Sequence, residues 1–342
     1  MLGDKKYNFG KIERLMVMGG GLTYLEFIKL GLSKGFEVVA VTSERHAREI
    51  WQEKPLSFHL DNLDNLDKLN VLIVEDIFDT ELREKINAYT LGISFGAAWI
   101  FKDRFIRLFG GRFLNYHASP LPKCRGAGGF SWRIMRGDRG GALCLHQVDE
   151  GVDTGDVLLM EPFVYPDDCD HPFEYHGYTF NLSHNFLRKF LDDLQDEKTF
   201  TLSGQDDRTS TYFPRLNTDI HGWVDWSWSS DDILRFVRAF GGPYFGASTL
   251  YKGQRVRLKN CSDANDGESF HPFMSGLIYR VHAGTVFVAA IGGGLRFDLI
   301  IAEDGENIAD RVVLGERMHT PLEQLENARS FRAIYTPIGL KS

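Results

Sequence analysis

Short apolar runs recur along the first half of the chain, each stopped by glycine or polar residues. RLMVMGGG (14–21) is apolar until three glycines end it, the pattern of a buried strand running into a tight turn. LTYLEFIKLGLSKG (22–35) then carries apolar residues at helical spacing, and Gly35 suits the helix stop. FEVVAVTSE (36–44), NVLIVED (70–76) and TLGISFG (90–96) are further buried strands, with TELREKINAY (80–89) helical between the last two. This rhythm predicts parallel βαβ units and a Rossmann-like α/β sheet flanked by helices, whose site lies beyond the C-terminal strand ends. RFLNYH (112–117) and ALCLHQV (142–148) are the next strands, and the amphipathic HGYTFNLSHNFLRKFLDDLQ (176–195) closes the unit as a helix.

The texture then changes. SGQDDRTSTYFPRLNTDIHG (203–222) is polar and turn-rich, as a linker is. SSDDILRFVRAF (229–240) reads as a capped helix. Beyond it, GASTLYKGQRVRLKNC, SGLIYRVHAGTVFVAA and LRFDLIIAE are short strand-like pieces separated by glycines, the pattern of a small OB-like barrel. The expected organisation is an α/β domain over 1–203, a linker over 204–220 and a mostly β domain with its tail over 221–342.

Composition adds constraints. The 342 residues are 43% hydrophobic and 25% charged, as in a soluble globular protein, and no run approaches a membrane span. The opening MLGDKKYNFGKIERLMVM lacks the apolar core and cleavage site of a signal peptide. Cys124, Cys144, Cys169 and Cys261 are scattered, which argues against a zinc site or disulfide framework and fits a reducing cytoplasm. The formal charge of −8 argues against a broadly nucleic-acid-binding surface. MGGGLTYL (18–25) has Tyr24 where a dinucleotide fingerprint needs its last glycine, so it reads as a turn. The histidines, His46 and His146 among them, show no metal-ligand spacing and read as surface or core residues, and no metal is expected.

RFLNYHASPLPKCRGAGG (112–129) is the segment richest in chemistry. Residues i and i+2 of a strand face the same way, so Asn115 and His117 project together at a strand's C-terminal end. An amide N–H and an imidazole aimed at one point suit a carbonyl under attack, the amide donating to the developing oxyanion and the imidazolium either doing the same or moving a proton. Pro120 and Pro122 end the strand, and Arg125–Gly126 opens a glycine-rich loop. The same residues equally fit an ordinary strand end capped by polar groups. Further on, HQVDEGVDTGDVLL (146–159) crowds Asp149, Glu150, Asp153 and Asp156 into one loop, which should raise at least one carboxyl pKa. An Asp beside a His would fix its tautomer and favour its cation. Alone, this loop also reads as a solvated acidic turn.

Taken together, NYHASPLPKCRG and DEGVDTGD resemble the formyltransferase family that uses N10-formyltetrahydrofolate, in order, spacing and surrounding strands. GISFGAAWIFKDRFIRLFGGRFLNYH (92–117) looks like the folate-side strand and loop of that family, and VDWSWSSDDILRFVRAFGGPYFGAST (224–249) like the start of the C-terminal domain in its tRNA and amino-sugar members. The resemblance implies Asn115, His117 and Asp153 as the catalytic trio. It implies N10-formyltetrahydrofolate as cosubstrate, held by Ala98, Trp99, Ile100 and Phe101 and by Asp149, Glu150 and Asp153, with a cis Leu121–Pro122 bond. Ser119, Arg125, Gly126 and Trp132 fall on the acceptor side. Two departures, Pro120 in place of a leucine and GAGGFSW (126–132) in place of a Gly-x-x-Pro-x-x-Trp pattern, lie on that side too.

Family acceptors are amines: aminoacyl-tRNA, a glycinamide ribotide or an amino sugar on a nucleotide. A tRNA reader needs a basic C-terminal domain. Residues 221–342 hold 13 Lys/Arg and 14 Asp/Glu, 13 − 14 = −1. The expected acceptor is therefore a nucleotide-linked amino sugar, such as a dTDP-sugar destined for a surface polysaccharide like the lipopolysaccharide O-antigen. Methionyl-tRNA is the alternative. The expected partners are these small molecules, with no nucleic acid and no membrane, and a homodimer is compatible with the chain.

Overall fold

The computed structural model of the chain describes residues 4–341 apart from 52, 64, 65 and 128, so Gly128 of the glycine-rich loop lies outside the described residues. Seven strands form the first sheet: β1 Arg14–Gly19, β2 Glu37–Thr42, β3 Leu69–Ile73, β4 Thr90–Phe95, β5 Phe113–His117, β6 Gly140–Gln147 and β7 Val157–Val164. Their order is β7-β6-β5-β4-β1-β2-β3. The strands from β1 to β5 pair in parallel, whereas β6 runs antiparallel to both β5 and β7. The expected rhythm thus holds for five strands and changes at the sixth. The short loop 148–156 joins β6 to β7 without a crossover, which only antiparallel neighbours allow.

The parallel strands are apolar on both faces because both are covered. Leu15, Val17, Val38, Ala40, Leu114 and Tyr116 pack under helices α1 (Leu22–Ser33) and α2 (Pro172–Gln195). Met16, Met18, Val39 and Val41 pack on the other face with Phe105, Phe109 and Phe113. Helix α2 starts four residues before the expected 176. Pro172 occupies its first turn, where no N–H is needed, and the Glu174 carboxylate accepts the His171 N–H at 2.9 Å. The 80–89 helix is shorter than expected, ending at Glu84.

Six strands form the second sheet: β8 Ala247–Tyr251, β9 Gln254–Asp263, β10 Ile278–His282, β11 Thr285–Ala290, β12 Gly293–Ile301 and β13 Met318–His319, in the order β10-β11-β12-β9-β8-β13. All pairs are antiparallel. The outer strands come together where the Ile278 N–H donates to Glu316 O at 2.8 Å and the Met318 N–H to Gly276 O at 2.9 Å, curling the sheet into a barrel-like unit. Helix α3 (Ser230–Ala239) packs Ile233, Phe236 and Val237 against its core. Ser229 caps α3, its Oγ accepting the Asp232 N–H at 3.2 Å. Ser229→Ala should therefore lower stability by about 1 kcal/mol, while Ser229→Gly costs only a few tenths. Urea denaturation midpoints of the two variants check this.

The segment expected as a linker docks on the first unit. Tyr212–Phe213 pairs in parallel with Arg125–Gly126. The Cys124 N–H donates to Thr211 Oγ1 at 2.9 Å, and the Arg125 N–H to Thr211 O at 2.9 Å. Its polar residues satisfy the backbone of the glycine-rich loop.

Candidate active site

Alternation along β5 sets the site. Leu114 and Tyr116 turn toward α2, where the Tyr116 hydroxyl meets Ser183 Oγ at 2.5 Å. Asn115 and His117 lie on the other face with Phe113. Asn115 sits between Ser94 of β4 and His146 of β6 in register, beyond the point where the strand order reverses.

Asp153 reaches this pair from the loop 148–156. The loop is held in shape from within and from outside. Asp149 Oδ1 accepts the Gly151 N–H at 3.1 Å and the Thr154 hydroxyl at 2.6 Å. The Gln205 amide donates to Asp153 O at 2.9 Å and to Gly155 O at 2.6 Å. A Cβ at Gly155 would lie 1.9 Å from Gln147 O, so only glycine lets the loop fold back so tightly. Asp153 itself adopts φ +54, an uncommon left-handed conformation for a residue with a side chain.

Its carboxylate is the hub of the site. The Gly126 N–H donates to Oδ2 at 2.8 Å and Asn115 Nδ2 to Oδ1 at 3.3 Å. His117 Nδ1 lies 3.7 Å from Oδ2, and His146 Nε2 lies 3.4 Å from Oδ1. Burial pushes the Asp153 carboxyl up, but the two histidines in their protonated form and the Gly126 N–H outweigh it and hold the pKa at about 2. The expected raised carboxylate is therefore corrected at Asp153: folding draws it away from its acidic neighbours and sets it between two imidazoles.

Backbone carbonyls fix both rings. His117 Nε2 lies 2.9 Å from Cys124 O, so Nε2 carries the hydrogen and Nδ1 is the open nitrogen. His146 Nδ1 donates to Gln147 O at 2.8 Å, leaving Nε2 to accept from Asn115 Nδ2 at 3.0 Å. Burial lowers the His117 pKa more than Asp153 raises it, so its ordinary form at neutral pH is the free base rather than the expected cation.

Two cavities meet at His117. One, of about 310 Å³, is lined by Trp99, Ile100, Phe101, Asn115, Asp149, Glu150 and Asp153; the expected Ala98 is buried and does not line it. The other, of about 640 Å³, includes Ser119, Gly129, Phe130, His176 and Tyr244. His117, Gly126 and Arg215 border both. Two expected acceptor-side residues face elsewhere. The Arg125 guanidinium is buried against Gln205 at 2.9 Å and Asp207 at 2.9 Å. Trp132 donates to Pro214 O at 2.8 Å and packs on Phe213. Both hold the connecting segment in place. Ser119 does border the larger cavity, accepting from buried Arg133 at 3.2 Å. The Leu121–Pro122 peptide bond is cis.

Three contributors went unread in the sequence: His146, Gln205 and Arg215. The histidine is brought in by strand register, two residues after Cys144 in an apolar run, and the other two come from the segment read as a linker. Among the described residues no group of side chains has the makings of a metal site, and no helix is long and apolar enough to cross a membrane.

The formyl transferase family model matches residues 52–171, and the model for the formyl transferase C-terminal domain matches residues 218–313. A methionyl-tRNA formyltransferase of Acetivibrio thermocellus is 33% identical over 176 residues, 52% of this chain and 55% of that protein. The chain spans about half the length of the first curated relatives it matches. An N-formyltransferase of Helicobacter canadensis, in complex with folinic acid and dTDP-3-aminofucose, superposes with a TM-score of 0.63 at 16% identity, covering 84% of this chain and 98% of that one. A sugar 3N-formyl transferase solved in the presence of dTDP and 5-N-formyl-THF gives 0.62 at 19%, covering 84% and 96%. At these identities the likeness to the solved structures is one of fold. The two family matches take in the Asn115, His117 and Asp153 cluster at one end and the antiparallel unit at the other, and by them this chain belongs to the formyl transferase family.

Proposed function

We propose that this protein transfers a formyl group from N10-formyltetrahydrofolate to the amino group of a nucleotide-linked amino sugar. The observation that carries the reading is the placement of His117 where two cavities meet, as a two-substrate transfer requires. The smaller cavity takes the folate, with Trp99, Ile100 and Phe101 on one side and Asp149 and Glu150 on the other. The larger takes the acceptor, with Ser119 and Gly126 in its wall. Sugar acceptors are supported by the near-neutral C-terminal unit, which offers little for a tRNA backbone. The curated relatives' name favours methionyl-tRNA as the second reading.

Asn115, His117 and Asp153 divide the chemistry. A neutral amine attacks the formyl carbon, and charge grows on the formyl oxygen. The Asn115 amide donates to that oxygen, giving up its longer contact with Asp153. His117 Nδ1 takes the proton of the attacking amine. The imidazolium so formed points its new N–H at Asp153, whose charge stabilises it, and as the tetrahedral intermediate collapses the C–N10 bond breaks and His117 returns its proton to N10, releasing tetrahydrofolate. His117 thus serves as base and not as a second oxyanion donor, because Nε2 is committed to Cys124 O.

A base must be unprotonated, and burial lowers the pKa of His117. The limb of the kcat profile that belongs to His117, recognised by its loss in His117→Ala and distinct from any limb of the acceptor amine, should therefore lie below the ordinary histidine value of about 6.5. A His117-dependent limb at or above that value would remove His117 as the base. The activity itself is checked by incubating the protein with N10-formyltetrahydrofolate and a panel of nucleotide-linked 3-amino and 4-amino sugars. Mass spectrometry should show one formyl added to a panel member; no gain on any of them would contradict the sugar reading.

A further inference from the structure

The two cavities differ in charge. The smaller is acidic, with Asp149, Glu150 and Asp153 in its wall. The larger carries Arg215 from the connecting segment and Tyr335 from the C-terminal tail, and among the described residues the one carboxylate in its lining, Asp219, is paired with Arg255 and Arg257. The Arg215 guanidinium lies 4.6 Å from the centre of the Tyr335 ring. Asn217 Nδ2 donates to the Tyr335 hydroxyl at 3.0 Å and fixes the ring in place. Arg45 approaches the same ring at 6.0 Å and has Glu49 as its carboxylate at 3.0 Å. Arg215 has no ion pair among the described residues. Two guanidiniums therefore share one carboxylate, and a positive charge is left over beside the cavity.

The floor next to these residues is also short of acceptors. Helix α1 starts after Gly21 with no side-chain cap, and Gly20, Gly21, Leu22 and Thr23 border the same cavity. His46 packs against Gly20, is only 4% exposed, and its Nδ1 has no hydrogen-bond partner. Burial, followed by Arg45 and Arg215, holds the His46 pKa at about 3, so the ring stays neutral and leaves the charge there to the two guanidiniums. A planar guanidinium stacked on an aromatic ring keeps its N–H fork free for an oxyanion.

We propose that Arg215, shelved on Tyr335 and backed by Arg45, binds a phosphate or diphosphate carried by the acceptor in the larger cavity. A carboxylate tail on the folate is the other source of negative charge within reach, since Arg215 borders both cavities. With Asp149, Glu150 and Asp153 on the smaller-cavity side, Arg215 offers an anion its larger-cavity side, the side given to the acceptor. That the anion belongs to the acceptor rests on the formyl-transfer reading; that Arg215 holds a phosphate does not.

Calorimetry on the full chain tests this with three probes: inorganic pyrophosphate, dTDP and 5-formyltetrahydrofolate. Pyrophosphate and dTDP should bind the wild type, more weakly as salt rises. Arg215→Gln should weaken both by about 10-fold or more, the scale of a lost charged hydrogen bond. Tyr335→Ala should weaken them less, by loosening the guanidinium. Affinity for 5-formyltetrahydrofolate should be unchanged in Arg215→Gln, which also shows that the variant is folded. Failure of the wild type to bind either phosphate probe would overturn the proposal. So would equal affinities in wild type and Arg215→Gln, or a loss confined to 5-formyltetrahydrofolate, which would assign Arg215 to the folate. Failure of the wild type to bind 5-formyltetrahydrofolate would overturn the formyl-transfer reading instead.

Discussion

His117→Ala should lower kcat by about 10²- to 10⁴-fold, the range spanned by a positioned general base. KM for both substrates should change little, because Nδ1 acts on a proton that moves only as the bond forms. The ring is buried between Cys124 O and Asp153, so alanine leaves a small polar gap rather than a collapsed strand. The acid limb of the pH profile should vanish along with the rate, since the group that titrates has gone. Asn115→Ala should lose roughly 10²-fold through the oxygen it no longer stabilises. The double variant should fall well short of the product of the two losses, because both groups serve one transition state. Steady-state kinetics of the two single variants and the double decide this. A near-wild-type kcat in His117→Ala would take the residue out of the mechanism, and additive losses would mean that the two act separately.

Asp153→Asn is expected to cost about 10²-fold in kcat, and it probes charge rather than shape. Asparagine can still accept the Gly126 N–H, so the loop keeps its main anchor. What disappears is the anion 3.7 Å from His117 Nδ1, and with it the stabilisation of the imidazolium formed during transfer. Asp153 raises the His117 pKa, against burial, so removing its charge should move the acid limb to lower pH. A purely structural role would reduce the rate without moving the limb. An acid limb that stays in place or rises in Asp153→Asn would break the link between the two residues.

Local pattern and long-range pairing explain what could be read from the chain. Asn115 and His117 were legible together because the two-residue period of a strand is local. The strands β1, β2 and β4 were legible because both their faces are covered, which makes them apolar throughout. His146 was not legible as part of the site. It reaches Asn115 only through the antiparallel register of β6 on β5, and nothing in ALCLHQV encodes that neighbour. The raised carboxyl expected somewhere in the loop is not found at Asp153 for a related reason. In sequence its neighbours are carboxylates, but in space they are His117, His146 and the Gly126 N–H. Arg125 and Trp132 stand next to the motif in the chain, yet their side chains turn to Gln205, Asp207 and Pro214. The polar composition of 203–222 hid the opposite case. A segment that looks like a tether supplies Gln205 to the Asp153 loop and Arg215 to both cavities.

The measurement that bears most directly on the whole account is a side-by-side comparison of kcat/KM. The same preparation is given N10-formyltetrahydrofolate with the best nucleotide-linked amino sugar of the panel in one arm and charged initiator tRNA in the other. Formylation of the sugar with little or no turnover of the tRNA, and loss of the sugar activity in His117→Ala, is the predicted result. Turnover of the tRNA at a rate comparable to or above that of every sugar would contradict it.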